Sequence, residues 1–190
     1  MATLLYSCTM SLDGFLAGPG GDMSWLSPYV GPNSLADGLV DRVGALLVGR
    51  RTYFGDDPNR GTDSEGAFGG RWTGPQFVLT SQPDRPPSPG VTFLDDLDAA
   101  VSAARAAAGD RYVNVLGADV ARQLLAAGHV DEILVFVAPV LLGDGVPFFR
   151  WAGGHQLDLE WLQTGSAAGA SSLWYRVRTP GRTRSGPAVT

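Results

Sequence analysis

Short apolar runs alternate with helix-patterned stretches along almost the whole chain, and most of the runs give out at a glycine or a hydroxyl residue. "TLLYSCT" (3–9), "LLVG" (46–49), "QFVLTS" (76–81), "VTFLD" (91–95), "YVNVLG" (112–117) and "DEILVFVAPVLLG" (131–143) read as strands. Between them, residues 34–45 place Leu35, Leu39, Val40 and Val43 on one helical face, with Ser34 as the cap. Asp95 or Asp96 opens an alanine-rich helix to about Ala108, and 118–128 is a further helix. Strands that alternate with helices build a mostly parallel sheet covered on both faces. "LDLEWLQTG" (157–165) and "SSLWYRVRT" (171–179) alternate in period two around a small-residue turn, which adds an antiparallel hairpin. The expected fold class is therefore α/β, a mostly parallel mixed sheet with flanking helices and a C-terminal antiparallel hairpin.

No linker is long enough to separate domains, so residues 1–179 are expected to form one domain and 180–190 a disordered tail. The segment 55–75 is rich in Gly, Asp and Arg and has no period. Loops of that length are functional or mobile. "QPDRPPSPG" (82–90) is a proline-stiffened connector.

All 14 basic residues are arginine, so a single arginine carries little weight, and the net charge is -5. No basic run could neutralise a row of phosphates, which argues against a nucleic-acid partner. The N-terminus lacks a basic leader, and no apolar run reaches the ~20 residues of a membrane span. A lone Cys8 cannot form an internal disulfide. A cytoplasmic protein without membrane contact is the expectation.

Ligands of such sheets bind beyond the carboxyl ends of the strands. That rule selects four places here: after Thr9, Gly49, Thr80 and Gly117. After Gly49, "RRTY" offers two guanidinium groups, the Thr52 hydroxyl and the free N–H groups of a helix start, all suited to a phosphate. A solvated surface turn is the plainer alternative. "TSQ" after Leu79 supplies two hydroxyls and an amide for a ribose phosphate, or else ordinary turn residues. "GADVARQLL" (117–125) turns from strand to helix at a glycine, a second anion site, although a capping Asp119 would repel the same phosphate. This is not the G-x-G-x-x-G fingerprint of doubly wound dinucleotide domains. Beyond Thr9, Gly14, Gly18, Gly20 and Gly21 form either a lid or a flexible connector. No Cys, His or Asp cluster has metal spacing, so no metal is expected. His129 lies at a helix end as a dipole partner, and His155 suggests nothing.

"SLDGFLAG", "LLVGRRTYFGDDP", "FVLTSQ", "VLGADVARQLLAAGHVDEI" and "APVLLGDG" stand in the order seen in the dihydrofolate-reductase-like superfamily. Over roughly residues 3–179 the chain resembles the reductase domain of the bifunctional riboflavin-biosynthesis deaminase/reductase. The resemblance implies a mixed sheet of about eight strands, NADPH as cofactor and a homodimer. It assigns the cofactor phosphates to Gly49, Arg50, Arg51 and Thr52, the phosphorylated ribose to Thr80, Ser81 and Gln82, and the pyrophosphate to Gly117 and Ala118 with Asp119 and Val120 beside them. Thr9, Ala17 and Trp25 are implied near the cofactor as well. Thr52 and Asp56 match a threonine and aspartate that border the nicotinamide. A cis bond at 117–118 is left open.

The chain also departs from that pattern. Val115 stands where the riboflavin reductases carry a glutamate, and Met23 where they carry a substrate-binding serine. Arg60 and Arg71 are only candidates for a substrate phosphate. Asp37 and Asp41 lie at the wrong distance from Gly49 for the pterin-orienting carboxylate of dihydrofolate reductases. The leading expectation is an NADPH-dependent reductase of a small pterin, pyrimidine or related metabolite, with loop 14–21 as lid. Asp56, or else Asp57 or Asp13, would supply the proton. Alternatives are a true dihydrofolate reductase, a non-catalytic NADPH-binding dimeric module, and use of a flavin-type carrier. In "LDG", a turn role for Asp13 competes with the catalytic one.

Overall fold

In the computed structural model of the chain, residues 1–29, 31, 33–55, 57, 59–83, 88–167 and 169–178 are described. The strands are β1 (Thr3–Ser11), β2 (Phe15–Ala17), β3 (Val43–Gly49), β4 (Gln76–Leu79), β5 (Val91–Leu94), β6 (Tyr112–Leu116), β7 (Glu132–Ala138), β8 (Val146–Pro147), β9 (Asp158–Ala167) and β10 (Ala170–Arg178). The α-helices are α1 (Ser34–Val40), α2 (Arg50–Tyr53), α3 (Leu97–Ala108) and α4 (Ala118–Ala126). Eight strands form one sheet in the order β5-β4-β3-β6-β1-β7-β10-β9. The six from β5 to β7 run parallel, and the hairpin β9–β10 adds the antiparallel edge. This is the α/β architecture that the alternation of runs implied.

The two faces of the sheet are built differently. On one, Leu4, Tyr6, Ala45, Leu47, Val113, Val115, Ile133 and Val135 meet Ala100, Val101 and Ala104 of α3 and Val120, Ala121 and Leu124 of α4. The near-heptad spacing of those helical residues gives each helix one apolar stripe, and alanine lets α3 lie close to the strands. On the other face, Leu5, Leu46, Val48 and Leu134 lie under Leu35 and Leu39 of α1, Tyr53 of α2, and Phe68 and Trp72 of the following loop.

Several boundaries differ from the sequence reading. The helix expected over 34–45 ends at Val40, and β3 already begins at Val43. The cause is tertiary: a Cβ on Gly44 would lie 2.7 Å from the Ala108 backbone, so this stretch is pressed beneath the end of α3 as a strand. Its cap is Asn33, whose side chain accepts from the N–H groups of Leu35 and Ala36, while Ser34 is the first helical residue. The apolar run 131–143 contributes a strand only to Ala138, because 140–143 is drawn into a turn against residues 12 and 13. Asp96, not Asp95, caps α3 through the Ala99 N–H at 2.7 Å. The tail 180–190 lies outside the described residues.

Candidate functional site

β3 and β6 are neighbours, so the chain ends that leave them emerge side by side. Gly49 closes β3 and caps α2 with extended backbone. Gly117 closes β6 and caps α4 at φ 107, a region that an L side chain rarely adopts. A Cβ on Gly117 would collide with Thr52 Oγ1 and lie 3.7 Å from the Gly49 nitrogen. A Cβ on Gly49 would in turn touch Val120 at 3.4 Å. Gly49, Thr52, Gly117 and Val120 therefore form one joint. Every described peptide bond is trans, that between Gly117 and Ala118 included.

The charges around this joint suit an anion. Arg50, Arg51 and Thr52 are solvent-exposed at its rim. α2 is anchored by Tyr53, whose ring stands edge-on to Phe93 with centroids 5.7 Å apart, and the Arg50 guanidinium sits 6.0 Å from the Phe54 ring. Neither Gly49 nor Gly117 places a side chain over the N–H groups of the helix it starts. Asp119 does not occupy that position either: its carboxylate accepts from Arg122 at 3.0 Å and from Gln123 at 3.3 Å. One strand outward, Thr80 is buried and its hydroxyl accepts from the Gln82 N–H at 3.2 Å, while Ser81 and Gln82 are exposed. Trp25 lies in a short 3-10 turn, and its indole N–H is buried with no acceptor among the described residues. A cradle too tight for a Cβ and two exposed cations at its rim fit a phosphorylated cofactor.

The glycine-rich segment after β1 is tied down. Phe15–Ala17 pairs with Val146–Pro147, and the Phe148 N–H donates to the Gly14 carbonyl at 2.8 Å. Gly145 passes so close to Ala17 that a Cβ would strike its carbonyl oxygen. Asp13 holds the same junction: its carboxylate accepts from the N–H groups of Leu142 and Gly143 and from the Ser11 hydroxyl. The Ser11 hydroxyl, followed by those N–H groups, keeps the Asp13 carboxyl below its ordinary range. A carboxylate held in its charged form is a poor proton donor. In this structure Asp13 is a turn staple, and the loop expected as a lid is a small strand pair at its centre. Thr9, on the last stretch of β1, pairs with Phe136 and is half-buried.

Of the other candidates, Asp56 lies outside the described residues. Asp57 spends one oxygen on the Asn59 N–H and the other on the Gly66 N–H. Arg60 donates to the Gly55 carbonyl, and Arg71 pairs with Asp37 at 2.7 Å. The described residues of the periodless loop 55–75 are thus tied by their own polar groups and docked by Trp72, whose indole donates to the Val43 carbonyl. Asp37 serves the loop through that ion pair, and Asp41 ends α1 just before β3 begins, at the opposite end of the strand from Gly49. His129, just beyond the end of α4, pairs with Asp98 of α3, and His155 stacks on Trp151. Burial pushes the Cys8 thiol up to about 12, which leaves it no nucleophile at neutral pH.

One feature escaped the reading of the sequence. Ser7 and Asn114 are both buried inside the sheet, on the α1 side, and bonded to each other. The signal was a polar residue in the middle of each of two apolar runs, "LLYSCT" and "YVNVL".

The sequence matches the family model of the RibD C-terminal domain over residues 2–171. It is 27% identical over 151 residues to the uncharacterised protein YwjB of Bacillus subtilis, covering 78% of this chain and 82% of that one. Among solved structures, a putative riboflavin biosynthesis protein from Shewanella sp. PV-4 superposes with a TM-score of 0.73 at 22% identity, over 94% of this chain and all of the other. The riboflavin biosynthesis reductase Rib7 of Saccharomyces gives 0.61 at 17% identity, over 93% and 90%. A dihydrofolate reductase of Enterococcus faecalis, complexed with NADP(H), gives 0.58 at 18%, over 93% and 97%. The fold is dihydrofolate-reductase-like. No helix among the described residues is long and apolar enough to cross a membrane.

Proposed function

This chain belongs to the family of the RibD C-terminal domain, and on that premise we propose that it is an NADPH-dependent reductase of a small pyrimidine- or pterin-like metabolite. The observation that carries the reading is the joint at the ends of β3 and β6. Gly117 and Thr52, far apart in sequence, approach so closely that a methyl group would not fit between them. Backbone N–H groups can then reach a pyrophosphate without side chains in the way. Gly49, Thr52, Gly117 and Ala118 would hold the bridging phosphates. Arg50 and Arg51, with Thr80, Ser81 and Gln82, would take the phosphorylated ribose, since guanidinium matches phosphate in geometry and charge. The bound cofactor supplies the hydride. The chain must position the acceptor, keep water out and deliver a proton. Asp56 is the residue we assign to the proton.

Comparative melting with NADPH, NADH and FMN tests the reading. A ligand that binds only the native form raises its stability by mass action, so NADPH is expected to raise Tm most. Arg50→Ala with Arg51→Ala should narrow the gap between NADPH and NADH. Equal stabilisation by all three, or a gap untouched by the double change, overturns it. Asp56→Asn should keep the NADPH shift and lose turnover.

We assign the expected homodimer to the outer strand β9, where Trp161 is 63% and Leu159 43% exposed beside an unpaired strand edge. Light scattering on Trp161→Glu should then read a monomer.

A further inference from the structure

The face of the sheet under α1 carries all four buried polar side chains that belong to described strands, Ser7, Ser11, Asn114 and Ser172. Alternation places them there with Leu5, Leu46 and Leu134, while Leu4, Tyr6, Val113 and Val115 point the other way. Ser11 is accounted for by Asp13 and the Phe15 N–H. The pair Ser7–Asn114 is not. The Ser7 hydroxyl donates to Asn114 Oδ1 at 2.7 Å. Asn114 is fully buried, and its Nδ2 has no partner among the described residues. An unmade hydrogen bond of a buried amide opposes folding, whereas two apolar side chains of similar shape would be neutral or stabilising there. Stability therefore does not explain why both residues are polar.

Their position offers an explanation. Ser7 stands two residues before Thr9 on the same face of β1, and Asn114 three before Gly117 on the adjacent strand. On the reductase reading, the pair lies one layer inward from the strand ends that hold the cofactor. Ser7 keeps a small opening, at 7% exposure, whereas Asn114 has none. A serine hydroxyl can ordinarily donate or accept. Here its single proton is committed to Asn114, so only its lone pairs are left to offer.

We propose that Ser7 is a specificity-determining residue of the acceptor subsite, a hydrogen-bond acceptor for a ring N–H of the substrate, and that Asn114 is the positioning residue that fixes its polarity. A ligand with an amide-type ring N–H would be bound, and its N-alkylated analogue rejected. The inference rests on the reductase reading, and its test separates the two. NADPH binding is measured first, by melting and calorimetry, on wild type, Ser7→Ala and Asn114→Leu. The NADPH-loaded proteins are then titrated with 5-aminouracil and with its 1,3-dimethyl derivative. Wild type should prefer the ring N–H form at least tenfold. Ser7→Ala should lose that preference with its NADPH affinity unchanged. Asn114→Leu should raise Tm and also lose the preference, whereas Asn114→Asp, which can still accept the Ser7 proton, should retain it. Failure of NADPH to bind wild type overturns the reductase reading. NADPH binding with no preference in wild type, or with a preference that survives in Ser7→Ala, overturns the assignment of Ser7. A fall in Tm on Asn114→Leu with the preference intact overturns the role of Asn114.

Discussion

The face of the sheet under α3 and α4 and the face under α1 share the same central strands but not the same chemistry. Under α3 and α4 the buried residues are apolar, apart from the hydroxyl of Tyr6, and most are aliphatic. Under α1 the cover is a seven-residue helix, one turn of α2 and a loop, and polar groups are buried among the aliphatic ones. A fully buried Leu or Val stabilises by about 1.5–3 kcal/mol, while an unpaired buried amide costs about 1–3. The helical face holds the fold, and the loop face gives up some stability for groups that can recognise a ligand. The proposed cofactor cradle lies at the edge where the two meet, because Gly117 starts a helix of the first face and packs on Thr52, whose helix caps the second.

The largest expected effect falls on the helical face. Leu124→Ala removes a fully buried side chain from α4 and should cost about 2–5 kcal/mol in urea unfolding. It should leave the preference for NADPH over NADH unchanged. A change in that preference would mean that the division of labour between the faces is wrong. Gly117→Ala comes next, since it adds a methyl against Thr52 and a side chain at positive φ, with a loss of about 1–3 kcal/mol. Unlike Leu124→Ala, it should also abolish the rise in Tm produced by NADPH. Trp72→Phe deletes the bond to the Val43 carbonyl and should cost about 1 kcal/mol, with faster proteolysis inside 55–75.

The smallest effect is visible only by pH. The folded Asp13 carboxyl is held below its ordinary value of 3.8, so its stabilising contribution is complete above that value. It is lost as pH falls through the lowered folded value. Melting of Asp13→Asn against wild type should show a difference at neutral pH that disappears in strong acid. A difference that persists there would mean that the Leu142 and Gly143 contacts do not depend on the charge of residue 13.

Local pattern was sufficient for the alternation of strand and helix, the antiparallel hairpin, the β3 end at Gly49 and the α4 start at Gly117, because side-chain periodicity and glycine's freedom act over a few residues. The choice of Asn33 over Ser34 as cap, and of strand over helix at 43–45, needed the packed neighbours. Tertiary structure alone joined Thr52 to Gly117, Ser7 to Asn114 across 107 residues, and Asp13 to Gly143 across 130. A hydrogen bond between residues so far apart leaves no period in the chain. Its partners look like ordinary serines, asparagines and aspartates until the order of the strands brings them together.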